Sequence, residues 1–355
     1  MKKLTNPLLE GFPEYTPGEQ PGAGRFIKLN TNENPYPPSP KVARALKNCP
    51  VAHLRLYPNP VSAPLKKKLA LRYGFSEREI FVGNGSDDIL RLAFLAFSGS
   101  GERIVFPEPS YPLYPTLAVL AGARPTPVPL GREYALPGRF ISSYRNSLKV
   151  IANPNSPTGT FFSTCEVEMV VKANHRVVIV DEAYVDFATE NSLALVRKYE
   201  HILVTRTMSK SFSLAGIRLG YCFGHPRLVE ALHALKDSYN VSRLSQEAGC
   251  AALDDFPHMR RNRARIIRTR ERLAGQLRQF GFRVFPSQAN FLFVKPPGLT
   301  AGDYYRKLKE RGILVRFFSA PALAPYLRIS IGTDPEIAAL LKVIKEIVTN
   351  KGRVK

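Results

Sequence analysis

The chain has 355 residues, of which 44% are hydrophobic, and it carries a formal net charge of +22. This composition excludes global disorder, and at roughly 150 residues per domain the length predicts two domains. No apolar run reaches the roughly 18 residues of a membrane span, and the N-terminal segment lacks the apolar stretch of a signal peptide. The four cysteines show no CxxC spacing. We therefore expect reduced thiols in a cytoplasmic protein, without a disulfide framework or a metal site.

Part of the positive charge is concentrated in one stretch, MRRNRARIIRTRERL. Apolar residues recur there near helical spacing, which predicts an amphipathic helix with an arginine-rich outer face. Such a face is compatible with nucleic acid, but the sequence lacks the aromatic platform or known module of a nucleic-acid-binding protein. We favour a basic surface combined with small anionic substrates, and nucleic acid is not an expected partner.

In chain order, the first 40 residues are rich in Pro, Asn and Gly and predict an arm with one short strand, FIKLN. The middle of the chain alternates between short apolar runs, which predict strands, and helix-like stretches. The predicted strands are EIFVG, RIVFPEP, LKVIANP, RVVIVDEA, HILVTRT and LGYCFG. The predicted helices are DDILRLAFLAF, YPTLAVLAGA and PRLVEALHAL. This alternation predicts an α/β fold whose mostly parallel sheet is covered on both faces, with ligands at the carboxyl ends of the strands.

The pattern changes after about residue 245, where the arginine-rich helix precedes a pair of strands or a bent strand in FRVFPSQANFLFVKP. A helix around 303–311, strands at ILVRFF and YLRISIG, and a last helix opening at Asp334 follow. The sequence thus predicts three parts. They are an arm of residues 1–45 that joins the small domain, a large domain of residues 46–245, and a small α+β domain of residues 246–355.

The segment TRTMSKSFSLAGIRLGY has the strongest chemical character. Lys210 follows an apolar strand, lies near the hydroxyls of Thr207 and Ser209, and precedes Arg218 in a glycine-rich turn. Hydroxyls and an arginine suit a phosphate monoester dianion, because arginine binds phosphate through paired hydrogen bonds. Most lysines are solvated surface charges, but a lysine beside a phosphate clamp is placed to form an imine with an aldehyde carried on that phosphate.

Two further strand ends carry polar residues. Asp181 ends the apolar run of VVIVDEAYVDF, where a carboxylate either caps the next helix or pairs with the ring nitrogen of a pyridinium cofactor. That pairing keeps the ring electron-withdrawing, so that negative charge on a substrate carbon is delocalised. Tyr184 is then in reach of a ring oxygen. In ANPNSPTG, Asn155 or Ser156 is in reach of the ring, although its prolines and glycine also fit a simple turn.

A third strand end lies in FVGNGSDDILRLAF. Gly83 and Gly85 stand between a strand and a helix as in a dinucleotide-binding motif, but Asp88 occupies the place of its third glycine. A nicotinamide cofactor is therefore not favoured. The amides of Gly85, Ser86 and Asp87 nevertheless lie at a predicted helix N-terminus, which favours an anion such as phosphate.

Taken together, these segments resemble the fold-type I pyridoxal-phosphate enzymes of the aspartate-aminotransferase-like superfamily. Within its class II branch they are most similar to the histidinol-phosphate aminotransferases. The similar stretches are LNTNENPYPPSP, LYPNP, GNGSDD, NPNSPTG, VDEAYVDF, RTMSKSFSLAGIRLGY, YNVSRLSQ, PSQANF and YLRISIGT. The resemblance implies a fold-type I transferase with a large, mostly parallel-sheet domain that binds pyridoxal 5'-phosphate and a smaller α+β domain.

The resemblance also implies roles for individual residues. Lys210 is the Schiff-base lysine and proton shuttle, Asp181 pairs with the pyridine nitrogen, and Tyr184 bonds the ring hydroxyl. Tyr111 stacks on the ring, and Tyr57 reaches the cofactor phosphate of the neighbouring subunit, which implies a homodimer. The residues implied for the cofactor phosphate are Gly85, Ser86, Thr207, Ser209 and Arg218. The residues implied for the substrates are Arg328 at a carboxylate, Arg316 at a phosphate, and Asn34.

In one position the chain departs from the family, which usually has Asn where this chain has Ser156. The departure leaves open whether Ser156 or Asn155 bonds the cofactor ring. The implied reaction is a ping-pong exchange of an amino group between histidinol phosphate and 2-oxoglutarate, giving imidazole-acetol phosphate and glutamate in histidine biosynthesis.

Other members of the same branch share most of these motifs. A threonine-phosphate decarboxylase and an aromatic amino acid aminotransferase therefore stay open as alternatives. A nucleic-acid-binding regulator on an aminotransferase-like fold is disfavoured, because such regulators carry a helix-turn-helix domain before the fold. Here the similarity begins near residue 30.

Overall fold

The computed structural model describes residues 19, 20 and 26–349. Its strands are β1 (Ile27–Leu29), β2 (Ile80–Gly83), β3 (Arg103–Glu108), β4 (Arg124–Pro129), β5 (Leu148–Ala152), β6 (Val178–Asp181), β7 (Ile202–Thr207), β8 (Gly220–Gly224), β9 (Arg283–Val284), β10 (Phe291–Lys295), β11 (Ile313–Phe317) and β12 (Leu327–Ser330). Its α-helices are α1 (Pro40–Lys47), α2 (Ala63–Tyr73), α3 (Ser86–Phe97), α4 (Leu113–Leu120), α5 (Gly138–Ser142), α6 (Thr164–Ala173), α7 (Leu193–Val196), α8 (Pro226–Leu235), α9 (Arg243–Leu253), α10 (Phe256–Gln279), α11 (Ala301–Glu310) and α12 (Asp334–Thr349).

The large sheet has seven strands in the order β2-β8-β7-β6-β5-β3-β4. The pairs β3–β4, β3–β5, β5–β6 and β6–β7 are parallel, whereas β8 runs antiparallel to both of its neighbours, β2 and β7. The carboxyl ends of β5, β6 and β7 therefore lie side by side at one edge of the sheet, where ligands bind in open α/β folds. The predicted α/β fold with a mostly parallel sheet is confirmed.

Both faces of this sheet are covered, which explains why its strands are apolar throughout. In β6 and β7, Val178, Val180 and Val204 belong to one hydrophobic cluster, whereas Ile179 and Leu203 belong to the cluster on the opposite face. Successive side chains of a strand point to opposite faces, so both faces need apolar residues when both are packed. The result is a rigid platform beneath the polar residues at the strand ends.

The small sheet has five strands in the order β1-β11-β12-β10-β9. Its first strand comes from the N-terminal segment, since Ile27 pairs in parallel with Ile313 of β11. The helix α10 packs beside this sheet through the apolar face that its spacing predicts, and Ile266, Leu273 and Leu277 are fully buried there. The N-terminal segment thus brings residues 30–34 close to both sheets.

The predicted domain boundaries fall inside helices. The division at residues 45 and 46 lies in α1, and the division at 245 and 246 lies in α9. Val42 of α1 and Ala248 of α9 both pack in the same cluster as strands of the large sheet. Both helices therefore pack with the large sheet, while the division of the chain into domains stays a prediction.

Candidate active site

Lys210 lies just beyond the carboxyl end of β7, and its backbone is fixed by two other segments. The side-chain amide of Asn34 donates hydrogen bonds to the carbonyl oxygens of Lys210 and Ser211, at 3.0 and 3.1 Å. The Ser211 hydroxyl donates to the carboxylate of Asp186. The Lys210 amine donates to the carbonyl oxygen of Thr31 at 3.4 Å. The lysine is therefore held through its backbone, and among the described residues one long hydrogen bond restrains its amine.

Asp181, at the end of β6, is a buried carboxyl group with 4% exposure. The Tyr114 hydroxyl donates to it at 2.8 Å, and the Thr205 hydroxyl donates at 3.4 Å. Burial raises the pKa of Asp181 to about 6, and these hydrogen bonds only partly oppose that effect. The nearby charge of Asp87 raises the pKa further. A carboxyl group in this environment is stabilised as the anion by a cationic partner, and a protonated ring nitrogen fits that requirement.

Tyr184 lies between Lys210 and Arg328. The Lys210 amine is 5.6 Å from the centre of its ring, and Asn32 donates a hydrogen bond to its hydroxyl oxygen at 3.0 Å. Burial raises the pKa of Tyr184, but the charges of Lys210 and Arg328 and the hydrogen bonds from Asn32 and Ser156 outweigh burial, and the net pKa is lowered. The phenol oxygen is thus surrounded by groups that favour negative charge on an adjacent oxygen.

Asn32 owes its orientation to contacts with distant segments. Its backbone has a φ of 55°, a conformation that Asn tolerates better than most residues. Its backbone N–H donates to the Ser330 hydroxyl oxygen at 2.8 Å, and its own side-chain oxygen accepts from the same hydroxyl at 2.9 Å. Asn290 donates to its carbonyl oxygen at 2.9 Å. These bonds leave the Asn32 amide directed at Tyr184.

The two candidates in ANPNSPTG have different surroundings. The amide group of Asn155 donates to the Pro109 carbonyl and to the Thr158 hydroxyl, both at 2.9 Å, which uses both of its hydrogens. Its side-chain oxygen accepts from Ser110 at 2.8 Å. The Ser156 hydroxyl instead accepts from Arg328 at 3.1 Å. Asn155 therefore stabilises the loop, whereas Ser156 faces the same space as Tyr184 and Arg328.

The start of α3 forms a cradle for an anion. Gly85 precedes the helix with a φ of 88°, and none of the described side chains caps the helix N-terminus. A methyl group at Gly85 would lie 2.8 Å from the Arg218 guanidinium, so only glycine leaves this space open. Gly220 of β8 lies directly beneath, because a methyl group there would meet the backbone of Gly85 and Ser86 at 2.5 Å. Uncapped helix amides beside an arginine suit a phosphate.

Hydroxyl groups and one carboxylate complete the cradle. Thr207 is paired with Gly220 in the sheet, and its hydroxyl donates to that of Ser209 at 3.0 Å. Arg218 forms an ion pair with Asp87 at 3.1 Å, and the Tyr111 hydroxyl donates to the same carboxylate at 3.1 Å. Asp87 therefore orients both the predicted ring-stacking tyrosine and the predicted phosphate-binding arginine.

The two predicted substrate arginines lie on neighbouring strands of the small sheet. Arg316 of β11 and Arg328 of β12 are directly opposite each other in the register, so their side chains share one face. Arg328 also donates to the Asn30 carbonyl at 3.1 Å, and its guanidinium lies 5.2 Å from the centre of the Phe291 ring. Two cations on one face are suited to anionic substrates.

Tyr57 is the one predicted residue that the structure does not bring to the site of its own chain. Its side chain is 75% exposed and stacks on Tyr239, with the ring centres 4.2 Å apart. Arg243 donates to its carbonyl oxygen at 3.1 Å. This placement leaves the tyrosine available to a neighbouring subunit.

Sequence reasoning missed the side-chain contacts of four residues, Asn32, Asp87, Tyr114 and Thr205, although it placed the backbone amide of Asp87 at the anion site. Each contacts a predicted residue from another segment, so no local pattern identifies the pairing. Asp87 gave one signal, because it lies in the first turn of a predicted helix beside the phosphate-binding amides. In the part of the chain that the structure describes, no group of three His, Cys, Asp or Glu side chains is placed to hold a metal ion.

Comparison with known proteins identifies the family. A family model, aminotransferase class I and II, matches residues 25–344. The chain belongs to this aminotransferase family. The histidinol-phosphate aminotransferase of Chromohalobacter salexigens is 43% identical over 98% of this chain and 99% of its own length. That of Aromatoleum aromaticum is 41% identical over 98% of this chain and 100% of its own.

Solved structures share the fold of this aminotransferase. The crystal structure of histidinol-phosphate aminotransferase from Sinorhizobium meliloti, in complex with pyridoxal-5'-phosphate, superposes with a TM-score of 0.87 at 24% identity. The match covers 98% of each chain. The predicted fold-type I aminotransferase and the resemblance to histidinol-phosphate aminotransferases are confirmed. Among the described helices, none is long and apolar enough to cross a membrane.

Proposed function

We propose that the protein is a pyridoxal-phosphate-dependent aminotransferase that exchanges an amino group between histidinol phosphate and 2-oxoglutarate, giving imidazole-acetol phosphate and glutamate. The observation that carries the proposal is the grouping of Lys210, buried Asp181 and an uncapped helix N-terminus in a chain of this family. Sequence identity of 41–43% to histidinol-phosphate aminotransferases over nearly the whole length supports the substrate.

The described residues fit the cofactor at each of its polar groups. Asp181 would pair with the ring nitrogen, and Tyr184 and Ser156 would bond the ring oxygen. Tyr111 would stack on the ring. The residues that would hold the phosphate are Gly85, Ser86, Thr207, Ser209 and Arg218. The raised pKa of Asp181 supports this placement, because a buried carboxyl needs a cationic partner to stay ionised.

When bound, the cofactor supplies an electron-withdrawing ring that stabilises negative charge on the substrate carbon. Lys210 would hold the cofactor through its amine, and the same amine, when free, would take the proton from the substrate carbon. That amine would then give the proton back, so that one side chain serves as general base and then as general acid. Arg328 orients the carboxylate of glutamate, and Arg316 orients the phosphate of histidinol phosphate.

We further propose a homodimer in which Tyr57 reaches the cofactor phosphate of the partner subunit. Exposed apolar side chains surround Tyr57 on one surface, and such a patch is typical of a protein–protein interface. Its members are Leu54, Leu56 and Leu244, which line one cleft together with Tyr57. A cytoplasmic location is consistent with the four free cysteines of the described chain.

Absorption spectroscopy and product analysis test the function. We expect purified protein to show the visible band of lysine-bound cofactor and Lys210→Ala to lack it. Histidinol phosphate should convert the cofactor to its aminated form, whereas threonine phosphate and phenylalanine should not. Carbon dioxide release from threonine phosphate would make the protein a decarboxylase, and a response to phenylalanine alone would make it an aromatic aminotransferase.

A further inference from the structure

A second arginine-lined cleft lies apart from the candidate active site, between α10 and the first turn of α12. Its volume is about 290 Å³. Arg265, Arg268 and Arg272 of α10 line one side, and Tyr36 and Asp334 lie among the residues on the other. The cleft shares no residue with the candidate active site, and the proposed transamination does not use it.

The arginines of this cleft are arranged along one face of the helix. Arg261, Arg265, Arg268 and Arg272 follow one another at intervals of four, three and four residues, and all four are exposed. This spacing aligns side chains in a row, here over about 16 Å of helix. The opposite face of α10 is buried through Ile266 and other apolar residues. The arginine row therefore faces outward, because the apolar face on the other side of the helix is buried.

The cleft carries an uncompensated positive charge. Arg272 forms an ion pair with Asp334, whose carboxylate also accepts from Thr269 at 2.9 Å. Among the residues that the structure describes, Arg265 and Arg268 form no ion pair. Three arginines and one carboxylate leave a net charge of +2 around the cleft.

A second carboxylate, that of Glu336, lies in the first turn of α12. Glu336 accepts hydrogen bonds from the backbone N–H and the hydroxyl of Thr333, at 2.6 and 2.7 Å, at the start of α12. The Arg265 guanidinium lies 5.3 Å from the centre of the Tyr36 ring, which restricts its orientation. The cleft thus presents two arginines that form no ion pair with a described carboxylate, one of them beside an aromatic ring.

We propose that this cleft binds a small phosphorylated molecule with at least two negative charges. Guanidinium groups bind phosphate oxygens through paired, charge-assisted hydrogen bonds, and two uncompensated arginines match a dianion. A volume of about 290 Å³ is near the lower end for ligand sites, so the ligand is a small metabolite or one of its phosphate groups. The backbone N–H of Tyr36 donates to the side-chain oxygen of Asn34, and the Asn34 amide donates to the backbone of Lys210. A ligand beside Tyr36 is therefore connected to the Lys210 loop through a single residue, Asn34.

Isothermal titration of inorganic pyrophosphate into the cofactor-loaded protein tests the proposal. We expect the double variant Arg265→Gln with Arg268→Gln to lose one site per chain or to bind it at least tenfold more weakly. The charge-matched control, Arg260→Gln with Arg278→Gln, alters the same helix outside the cleft and should bind as the wild type does. Equal melting temperatures would show that the variants are folded.

Three outcomes would overturn the proposal. Unchanged affinity and stoichiometry in the cleft double variant would place pyrophosphate elsewhere, for example at Arg316 and Arg328. An equal loss of pyrophosphate affinity in the control variant would mean that the anion responds to the overall positive charge of the protein and not to the cleft. Preferential binding of an RNA oligonucleotide, weakened as much by Arg261→Gln as by the cleft double variant, would assign the whole arginine row to nucleic acid. Each outcome is independent of the transamination assay.

Discussion

At the scale of single residues, Asp181 joins the chemistry of the site to the stability of the fold. Burial raises its pKa from the ordinary 3.8 to about 6 in the protein alone. Folded Asp181 therefore keeps its proton between about pH 4 and pH 6, where the unfolded chain has lost it. The resulting stabilisation is fully present below the unfolded pKa and is lost as the pH rises through the folded pKa. A pKa difference of this size between the folded and unfolded chain corresponds to about 3 kcal/mol in the free energy of unfolding.

We predict that cofactor-free Asp181→Asn gains stability relative to cofactor-free wild type as the pH rises from about 4 to about 6, because the neutral amide avoids a buried charge. The difference should be constant at higher pH. Thermal unfolding midpoints of both proteins across this range provide the measurement. Asp303→Asn is the control, since hydrogen bonds lower the pKa of that exposed carboxyl and its replacement should cost stability instead. A difference that does not vary with pH contradicts the prediction.

Asn34 provides a second test at this scale. The sequence resemblance assigns it to the substrate, but its amide hydrogens are both donated to the backbone of Lys210 and Ser211. We predict that Asn34→Ala lowers kcat about 30-fold and leaves the KM of both substrates nearly unchanged, since two lost hydrogen bonds at about 1 kcal/mol each amount to about 2 kcal/mol. Steady-state kinetics with each substrate varied in turn gives the measurement.

An effect on KM without an effect on kcat would contradict the role of Asn34 in positioning Lys210. If Asn34→Ala raises the KM for one substrate and leaves kcat unchanged, Asn34 contacts that substrate, as the resemblance implies. Thr158→Ala is a suitable comparison, because the Thr158 hydroxyl accepts a hydrogen bond from Asn155 in another loop.

At this scale the sequence predicts residue types at strand ends well and side-chain partners poorly. Lys210, Asp181 and Tyr184 follow apolar runs, so their location at one sheet edge is predictable. The choice between Asn155 and Ser156 is not, because it depends on which side chain the turn directs inward. Asn32 is 152 positions from Tyr184, and local spacing contains no information about that contact.

At the scale of elements, the approach of β8 to α3 shapes the phosphate cradle. We predict that Gly220→Ala weakens cofactor affinity by at least tenfold and lowers the melting temperature, because the added methyl group would displace the backbone of Gly85 and Ser86. Equilibrium titration of the cofactor-free variant with pyridoxal phosphate gives the measurement. Gly216→Ala is the matched control, since nothing lies within 4 Å of a methyl group there. Equal affinities in the two variants contradict the prediction.

The strands themselves are largely predictable, and the exceptions have physical reasons. Six apolar runs in the middle of the chain correspond to strands of the large sheet, namely β2, β3, β5, β6, β7 and β8. The strand β4, RPTPVP, is missed because its three prolines argue against a strand. The prolines are tolerated because β4 lies at the edge of the sheet, where fewer backbone N–H groups take part in strand pairing. The reversed direction of β8 is set by the connection between strands, which composition does not reveal.

At the scale of the whole molecule, the proposed dimer makes each active site depend on two chains. Mixing Tyr57→Ala subunits with Lys210→Ala subunits should restore activity that neither variant has alone. Random reassortment makes half of the dimers hybrid, each with one intact site, so we predict recovery of about a quarter of wild-type activity. Activity of refolded mixtures at equal ratios provides the measurement.

The control uses the same variants without exchange of subunits. Proteins refolded separately and then mixed briefly should remain inactive, and Leu54→Asp should yield inactive monomers by size-exclusion chromatography, because a charge in the apolar patch opposes association. Full activity of Tyr57→Ala alone contradicts the contribution of the partner subunit.

The contact between Asn32 and Ser330 has a consequence for the synthesis of the protein. The two residues are 298 positions apart, and together they direct Asn32 towards Tyr184. A chain emerging from the ribosome presents Lys210 and Asp181 long before residue 330 has been translated. The nascent large sheet can therefore form while the tyrosine still lacks this partner. Cofactor binding in the final geometry therefore requires that residue 330, just before the last helix, has left the ribosome.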